Sequence, residues 1–150
     1  MRTRKNLQFP VSVDWAGGRL IRAAVPGKQT ISIATPPEFK GTDVGVWSPE
    51  DFLVAAAVSC FTVTYLAVAE HRGVTVHDVT VDAVGRMGIG EDGKLGFVGI
   101  DLSAHLVVDP GQEDAAVEAA RRAEQGCFVS KALSVPVRLE TLVRVAVPAA

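Results

Sequence analysis

The sequence predicts an α+β fold with the element order β-β-β-α-β-β-α-α-β, and three observations carry that prediction. A stretch from Phe52 to Ala69 holds no charged residue and reads as most of one long helix. Runs of alternating apolar residues lie on both sides of it and read as strands. Strand runs are separated from helix runs, which argues for antiparallel pairing and against a doubly wound sheet. At 150 residues the chain fits one domain, 1–150, long enough to build a core.

The long helix runs from Ser48 to Gly73. Ser48 suits the N-cap, Pro49 the first helical position, and Glu50 and Asp51 the positive end of the helix dipole. His71 and Arg72 suit the other end, and Gly73 is a natural residue just past it. The stretch reaches the ~18 residues at which a membrane-spanning helix becomes a candidate. Its alanines, its Ser59, Thr62, Thr64 and Tyr65, the lack of Lys or Arg at its start and the strands on both sides argue against a membrane. Because it is apolar on every side, it is expected to be buried all round, under sheet and a second subunit.

Before the helix, Leu7, Phe9, Val11, Val13 and Trp15 alternate as a strand over 7–15. Gly17-Gly18 turns, Leu20 to Val25 returns, Pro26-Gly27-Lys28 turns again, and Thr30 to Ala34 forms a third strand. Residues 35–47 are a loop, and loops of that length in compact domains usually carry function. After the helix, Val74 to Arg86 and Leu95 to Val108 are partner strands. Between them, Gly88 to Gly93 spells G-x-G-x-x-G, but strands flank it and no helix follows, so it is not a dinucleotide site. Asp92-Gly93 is a hairpin signal instead. A helix over Gln112 to Gln125, a helical piece over Phe128 to Ser134 and a strand over Pro136 to Val147 complete the chain.

The mean hydropathy of +0.26 leans toward an oligomer that hides apolar surface. A net charge of -2 leaves no electrostatic footprint for nucleic acid. The run Arg2-Thr3-Arg4-Lys5 reads as a solvated terminus, and no apolar signal follows it, so the expected location is cytoplasmic. Two cysteines in a reducing compartment are seldom a structural disulfide; they are inert core residues or redox-active. Cys60 lies mid-helix, too far from the N-terminus for the dipole to ionise it, so its thiolate requires a nearby cation. Cys127 follows the helix-ending Gly126 at the start of a new helix, where free N–H groups stabilise a thiolate. That place suits a resolving or leaving thiol. His71, His77 and His105 show no metal-ligand spacing, so no zinc is expected. No Ser or Thr sits in a nucleophile-elbow motif.

Ser48-Pro49-Glu50-Asp51-Phe52-Leu53 and Ser59-Cys60-Phe61, with Ala123-Glu124-Gln125-Gly126-Cys127-Phe128-Val129-Ser130-Lys131-Ala132-Leu133, resemble the OsmC/Ohr family. These are the osmotically inducible and organic-hydroperoxide-resistance proteins. The resemblance extends to Trp15-Ala16-Gly17-Gly18-Arg19 and so covers nearly the whole chain. It departs at Phe128, where the family usually has proline. The resemblance implies an OsmC-like fold, an intertwined homodimer with active sites at the interface, and thiol-dependent reduction of peroxides, organic ones above all. It makes Cys60 the peroxidatic thiolate and Cys127 the resolving thiol, with Glu50 orienting a guanidinium beside Cys60. An external dithiol of lipoyl or thioredoxin type regenerates the enzyme, and no cofactor or metal is needed.

Glu50 and Cys60 are ten residues apart on one helix, about 15 Å at ~1.5 Å per residue. One Arg of the same chain cannot meet both without strain. Two such helices crossing antiparallel bring Glu50 of one chain toward Cys60 of the other. For the cation, Arg19 matches the hydroperoxide-resistance branch of the resemblance and Lys40 lies near the position used by the other branch. Arg19 is preferred because a planar guanidinium meets carboxylate and thiolate together. Phe39, Trp47, Phe61 and Phe128 read as core, with some lining an apolar substrate pocket. The alternative to a peroxidase is a non-enzymatic thiol redox sensor or small-molecule binder on the same fold.

Overall fold

The central helix forms as α1, Pro49–His71, in a computed structural model that describes residues 6–149. The run Arg2-Thr3-Arg4-Lys5 lies outside the described residues. The Asp51 N–H donates to Ser48 Oγ at 3.1 Å and the Ser48 N–H donates to the Asp51 carboxylate at 2.8 Å. This is a reciprocal capping box with Asp in place of Glu. At the other end Gly73 has a φ of 72°. Its N–H donates to the Glu70 carbonyl at 3.1 Å and the Val74 N–H to the Ala69 carbonyl at 2.9 Å, the Schellman pattern that a left-handed residue permits.

The chain divides into two compact units, Met1–Phe52 and Leu53–Ala150, with the boundary inside α1. In the first, β1 (Ser12–Gly17), β2 (Leu20–Ala24) and β3 (Ile31–Ala34) form an antiparallel sheet in that order. The first strand begins five residues later than its alternation predicts. Ser12 pairs with Ala24, the last residue of β2, so residues 7–11 have no strand to pair with. Loop 35–47 contains a 3-10 turn at Pro37–Phe39 and rejoins the sheet where the Ala34 N–H donates to the Trp47 carbonyl at 3.0 Å.

The second unit adds β4 (Val76–Ile89), β5 (Leu95–Val108), α2 (Glu113–Gly126), α3 (Phe128–Ala132) and β6 (Val137–Val145). β4 and β5 form a long antiparallel hairpin closed at Gly90–Gly93, so the glycine-rich letters serve a turn, as expected. β6 pairs with β5 in parallel, Leu102 opposite Leu139, which corrects the expectation of antiparallel pairing throughout. The connection carrying α2 and α3 is long enough for the crossover that parallel strands require.

Alternate residues of β5, namely Ile100, Leu102, Ala104, Leu106 and Val108, are buried. They form one core with Ala57, Phe61, Tyr65 and Ala69 of α1 and with Ala116, Ala119, Ala120 and Ala123 of α2. The first set repeats every four residues and the second follows i, i+3, i+4, i+7, so each helix lays one stripe on the same sheet face. The opposite face is polar and carries the Arg86–Asp101 pair at 2.6 Å. The burial of α1 is confined to its stripe within one chain: Val63 and Leu66 on the far side are 62% and 44% exposed. By length and composition alone α1 is long and apolar enough to cross a membrane.

Gly85 lets α1 approach the hairpin: a Cβ there would lie 2.5 Å from Val54 Cγ2 and 2.8 Å from Phe97 Cε1. Gly85→Ala is therefore expected to destabilise the protein by about 1–3 kcal/mol through overpacking. A urea midpoint unchanged from wild type would show that the helix shifts freely.

Candidate functional site

Cys60 sits half-exposed on the flank of α1, between the buried stripe and the open side. Cys127 is fully buried at the break between α2 and α3, in extended backbone with φ -65° and ψ 116°. The Cys127 carbonyl accepts the Lys131 N–H at 3.1 Å, which starts α3. That leaves the N–H groups of Phe128 and Val129, in the first turn, without an acceptor inside their own helix.

These amides serve Cys60. Burial, the largest single influence on the Cys60 thiol, pushes its pKa up; the Val129 N–H, the Cys127 thiol, the Phe128 N–H and the Thr64 hydroxyl pull it down, and the thiol ends below its ordinary value. Both cysteines are free thiols. The two residues, far apart in sequence, are therefore neighbours, an acidified thiol beside a buried one.

One part of the sequence reading changes here. The sequence assigns the amides at the start of α3 to Cys127, and in the structure they act on Cys60. Within this chain the influences that lower Cys60 are hydrogen bonds, with no cation among them. Thr64 was missed as a participant. Its signal was present, since it lies four residues after Cys60 and so on the same helix flank.

Arg19, Lys40 and Glu50 belong to the first unit. Arg19 is exposed and its Nη1 donates to the Phe39 carbonyl at 2.9 Å, which ties the β1–β2 hairpin to the 3-10 turn. Lys40 follows that turn in left-handed backbone, with a φ of 65°. Glu50 has one carboxylate oxygen, Oε2, buried without a hydrogen-bond partner. Among the described residues, none of these three forms an ion pair. Of the four aromatics, Phe61 is wholly buried in the core and stacks on Tyr65. Trp47 packs on Phe52, with centroids 5.2 Å apart, and remains partly exposed. Phe39 is also partly exposed and Phe128 is 82% exposed. His77 pairs with Asp109 at 2.6 Å. Among the described residues no three His, Cys, Asp or Glu side chains converge as a metal site would require.

Known proteins share this fold. Residues 41–141 match the family described as OsmC-like protein. The uncharacterized protein YmaD of Bacillus subtilis is 26% identical over 137 residues, 88% of this chain and 90% of that one. An OsmC-like protein of unknown function from Vibrio cholerae superposes with a TM-score of 0.83 at 19% identity, covering 91% of this chain and 99% of that one. The organic hydroperoxide resistance protein OhrB of Bacillus subtilis superposes with a TM-score of 0.64 at 22% identity, covering 91% and 98%. At these identities the structural likeness establishes the fold.

Alkylation of Cys60 by iodoacetamide should follow an ionisation whose midpoint lies below that of an ordinary cysteine, so its rate falls only when the pH drops through that lowered value. Thr64→Val, which keeps the shape and deletes one donor, should slow alkylation at pH 7 by roughly two- to tenfold, the worth of one hydrogen bond. A midpoint at the ordinary cysteine value would show that the donors do not act on the sulfur.

Proposed function

The chain belongs to the OsmC-like protein family, and from that premise we propose that it is a thiol-dependent peroxidase that reduces organic hydroperoxides. The observation that carries this reading is the contact between Cys60 and Cys127, with Cys60 held toward its thiolate. The Cys60 thiolate attacks the distal peroxide oxygen, the O–O bond breaks, and the alkoxide leaves with a proton as the alcohol. Cys60 becomes a sulfenic acid. The Cys127 thiolate then attacks that sulfur, the Cys60–Cys127 disulfide forms and the oxygen departs as water. An external dithiol, of lipoyl or thioredoxin type, takes up the disulfide's oxidation and restores both thiols.

Glu50 and Arg19 complete the site in this reading. A buried carboxylate oxygen without a donor calls for one, and the unpartnered Oε2 of Glu50 suits a guanidinium. Arg19 supplies it, and with the amides already lowering Cys60 the guanidinium adds stabilisation for the charge moved in the attack. Lys40 is the alternative cation. The exposed Phe39, Trp47 and Phe128 are the candidates for contact with the alkyl part of the substrate. The open apolar side of α1 supports a homodimer in which the partner subunit's Glu50 serves Cys60. A cytoplasmic location, with its supply of reduced dithiols, suits the cycle.

The test is peroxide consumption driven by a dithiol reductant, with cumene hydroperoxide compared with hydrogen peroxide. Wild type is expected to turn over and to prefer the organic peroxide. Cys60→Ser should fall to background, and Cys127→Ser should complete one turnover and then stall as a sulfenic acid. Turnover that survives Cys60→Ser would end the thiol mechanism. A Cys60–Cys127 disulfide forming without turnover would favour the redox sensor.

Arg19→Ala should slow Cys60 alkylation at neutral pH while Lys40→Ala changes it little. The reverse outcome would move the cation to Lys40. Sedimentation at micromolar concentration should give a dimer, and a folded monodisperse monomer would remove the shared site.

A further inference from the structure

Cys60 and Cys127 are neighbours within the second unit, and both are free thiols. They are placed asymmetrically. Cys127 is fully buried at the junction of α2 and α3, while Cys60 is half-exposed on the flank of α1. The pair is therefore open to solvent at one sulfur and closed behind the other.

Two adjacent thiols are also two metal ligands, because the thiolate is the form that binds a metal. What they can hold follows from the donors around them. Among the described residues no third His, Cys, Asp or Glu joins the pair. The imidazoles are committed elsewhere. His77 pairs with Asp109 at 2.6 Å and His105 lies 3.7 Å from Asp82. His71 is eleven residues beyond Cys60, about 16 Å along the helix axis at ~1.5 Å per residue. Zinc takes three or four protein ligands, and calcium and magnesium take oxygen, so none of them is served by two sulfurs. Copper(I) is served by them. It is soft, it favours thiolate, and as a closed-shell monovalent ion it is satisfied by two ligands in line.

Charge favours the same ion. Two bare thiolates here would set two negative charges side by side, one of them on a fully buried sulfur. Bridged by Cu⁺, the two sulfurs carry a single negative charge between them. The Phe128 and Val129 amides, which act on Cys60, are in place to stabilise it. Metal binding releases the protons of its ligands, and Cys60 is already held toward its thiolate, so the Cys127 proton is the main one to displace.

We propose that Cys60 and Cys127 form a two-sulfur site for copper(I), with Cys60 the entry ligand and Cys127 the buried one. Two S–Cu bonds form, the thiol protons pass to solvent, and neither sulfur nor copper changes oxidation state. The ion is a competitor and not a cofactor. It takes the two sulfurs that a Cys60–Cys127 disulfide would join, so copper binding and disulfide formation exclude each other. The binding does not rest on the peroxidase reading of Cys60.

The test is an oxygen-free titration of the reduced full-length protein with copper(I) in competition with the coloured chelator bicinchoninate. One Cu⁺ per chain should be withdrawn from the chelator. Cys60→Ser and Cys127→Ser should each weaken binding at least about a hundredfold, two decades in Kd. If Cys127→Ser lowers the urea midpoint, Cys60→Ser at the half-exposed position decides alone. X-ray absorption at the copper edge should show two sulfur neighbours and no nitrogen or oxygen. One equivalent of copper(I) should slow Cys60 alkylation by iodoacetamide at least about tenfold, since the bound thiolate is no longer the free nucleophile. No copper withdrawn, a Cys60→Ser variant that binds like wild type, a nitrogen or oxygen ligand, or alkylation at the copper-free rate overturns the site. Peroxide consumption is measured separately on copper-free protein. Copper bound as expected with no peroxide consumed leaves the site standing and ends the peroxidase reading; peroxide consumed with no copper bound does the reverse.

Discussion

The packing of one helical stripe onto one strand governs the rest of the second unit. Ala57, Phe61, Tyr65 and Ala69 lie on the buried residues of β5, and Gly85 removes the Cβ that would hold α1 off the hairpin. This contact fixes the rotation of α1 about its own axis. Each residue turns the helix by ~100°, so a slip of one position would carry Cys60 into the core or out to the open side. The aromatic pair Phe61 and Tyr65 makes such a slip costly, because it would lift both rings out of the core. The reactive sulfur thus owes its direction to residues that take no part in chemistry.

The crossover from β5 to β6 delivers the other half of the site. Its parallel return forces the chain through α2 and α3, and Cys127 sits where the two helices join. The alanine stripe of α2 lets that helix lie close to the sheet. The break after Gly126 then turns two uncommitted amides toward α1. A continuous helix through Cys127 would have used those N–H groups internally, so the interruption of the helix is what frees the donors.

Much of the fold was legible because its signals are local. The caps of α1, the Gly73 stop, the Asp92-Gly93 hairpin and the alternation of β4 and β5 are all written within a few residues of where they act. What was not legible depends on pairing at long range. The parallel register of β6 leaves no trace in its own alternation, and the late start of β1 reflects where β2 ends. The two cysteines could be named from the sequence, but not the donors between them. Phe128 and Val129 act through their backbones, which side-chain identity does not report. The rotation that turns Cys60 and Thr64 toward α3 is set by Phe61 and Tyr65. Exposed charges such as Arg19 and Lys40 give even less away, since a solvated residue and a functional one look alike in a sequence.

The donors around Cys60 also tie reactivity to stability. In the unfolded chain Thr64, Cys127 and the two amides no longer surround the sulfur, and the thiol returns to its ordinary pKa. A group that is more acidic in the native state contributes stability that is fully present above the unfolded pKa and is lost as the pH falls through the folded one. The same hydrogen bonds that prepare the thiolate for attack therefore help hold α3 against α1, and they do so only while the sulfur is anionic. Any chemistry that discharges it, whether protonation, alkylation or oxidation, withdraws that support. The redox state of one atom is thereby linked to the free energy of the whole unit.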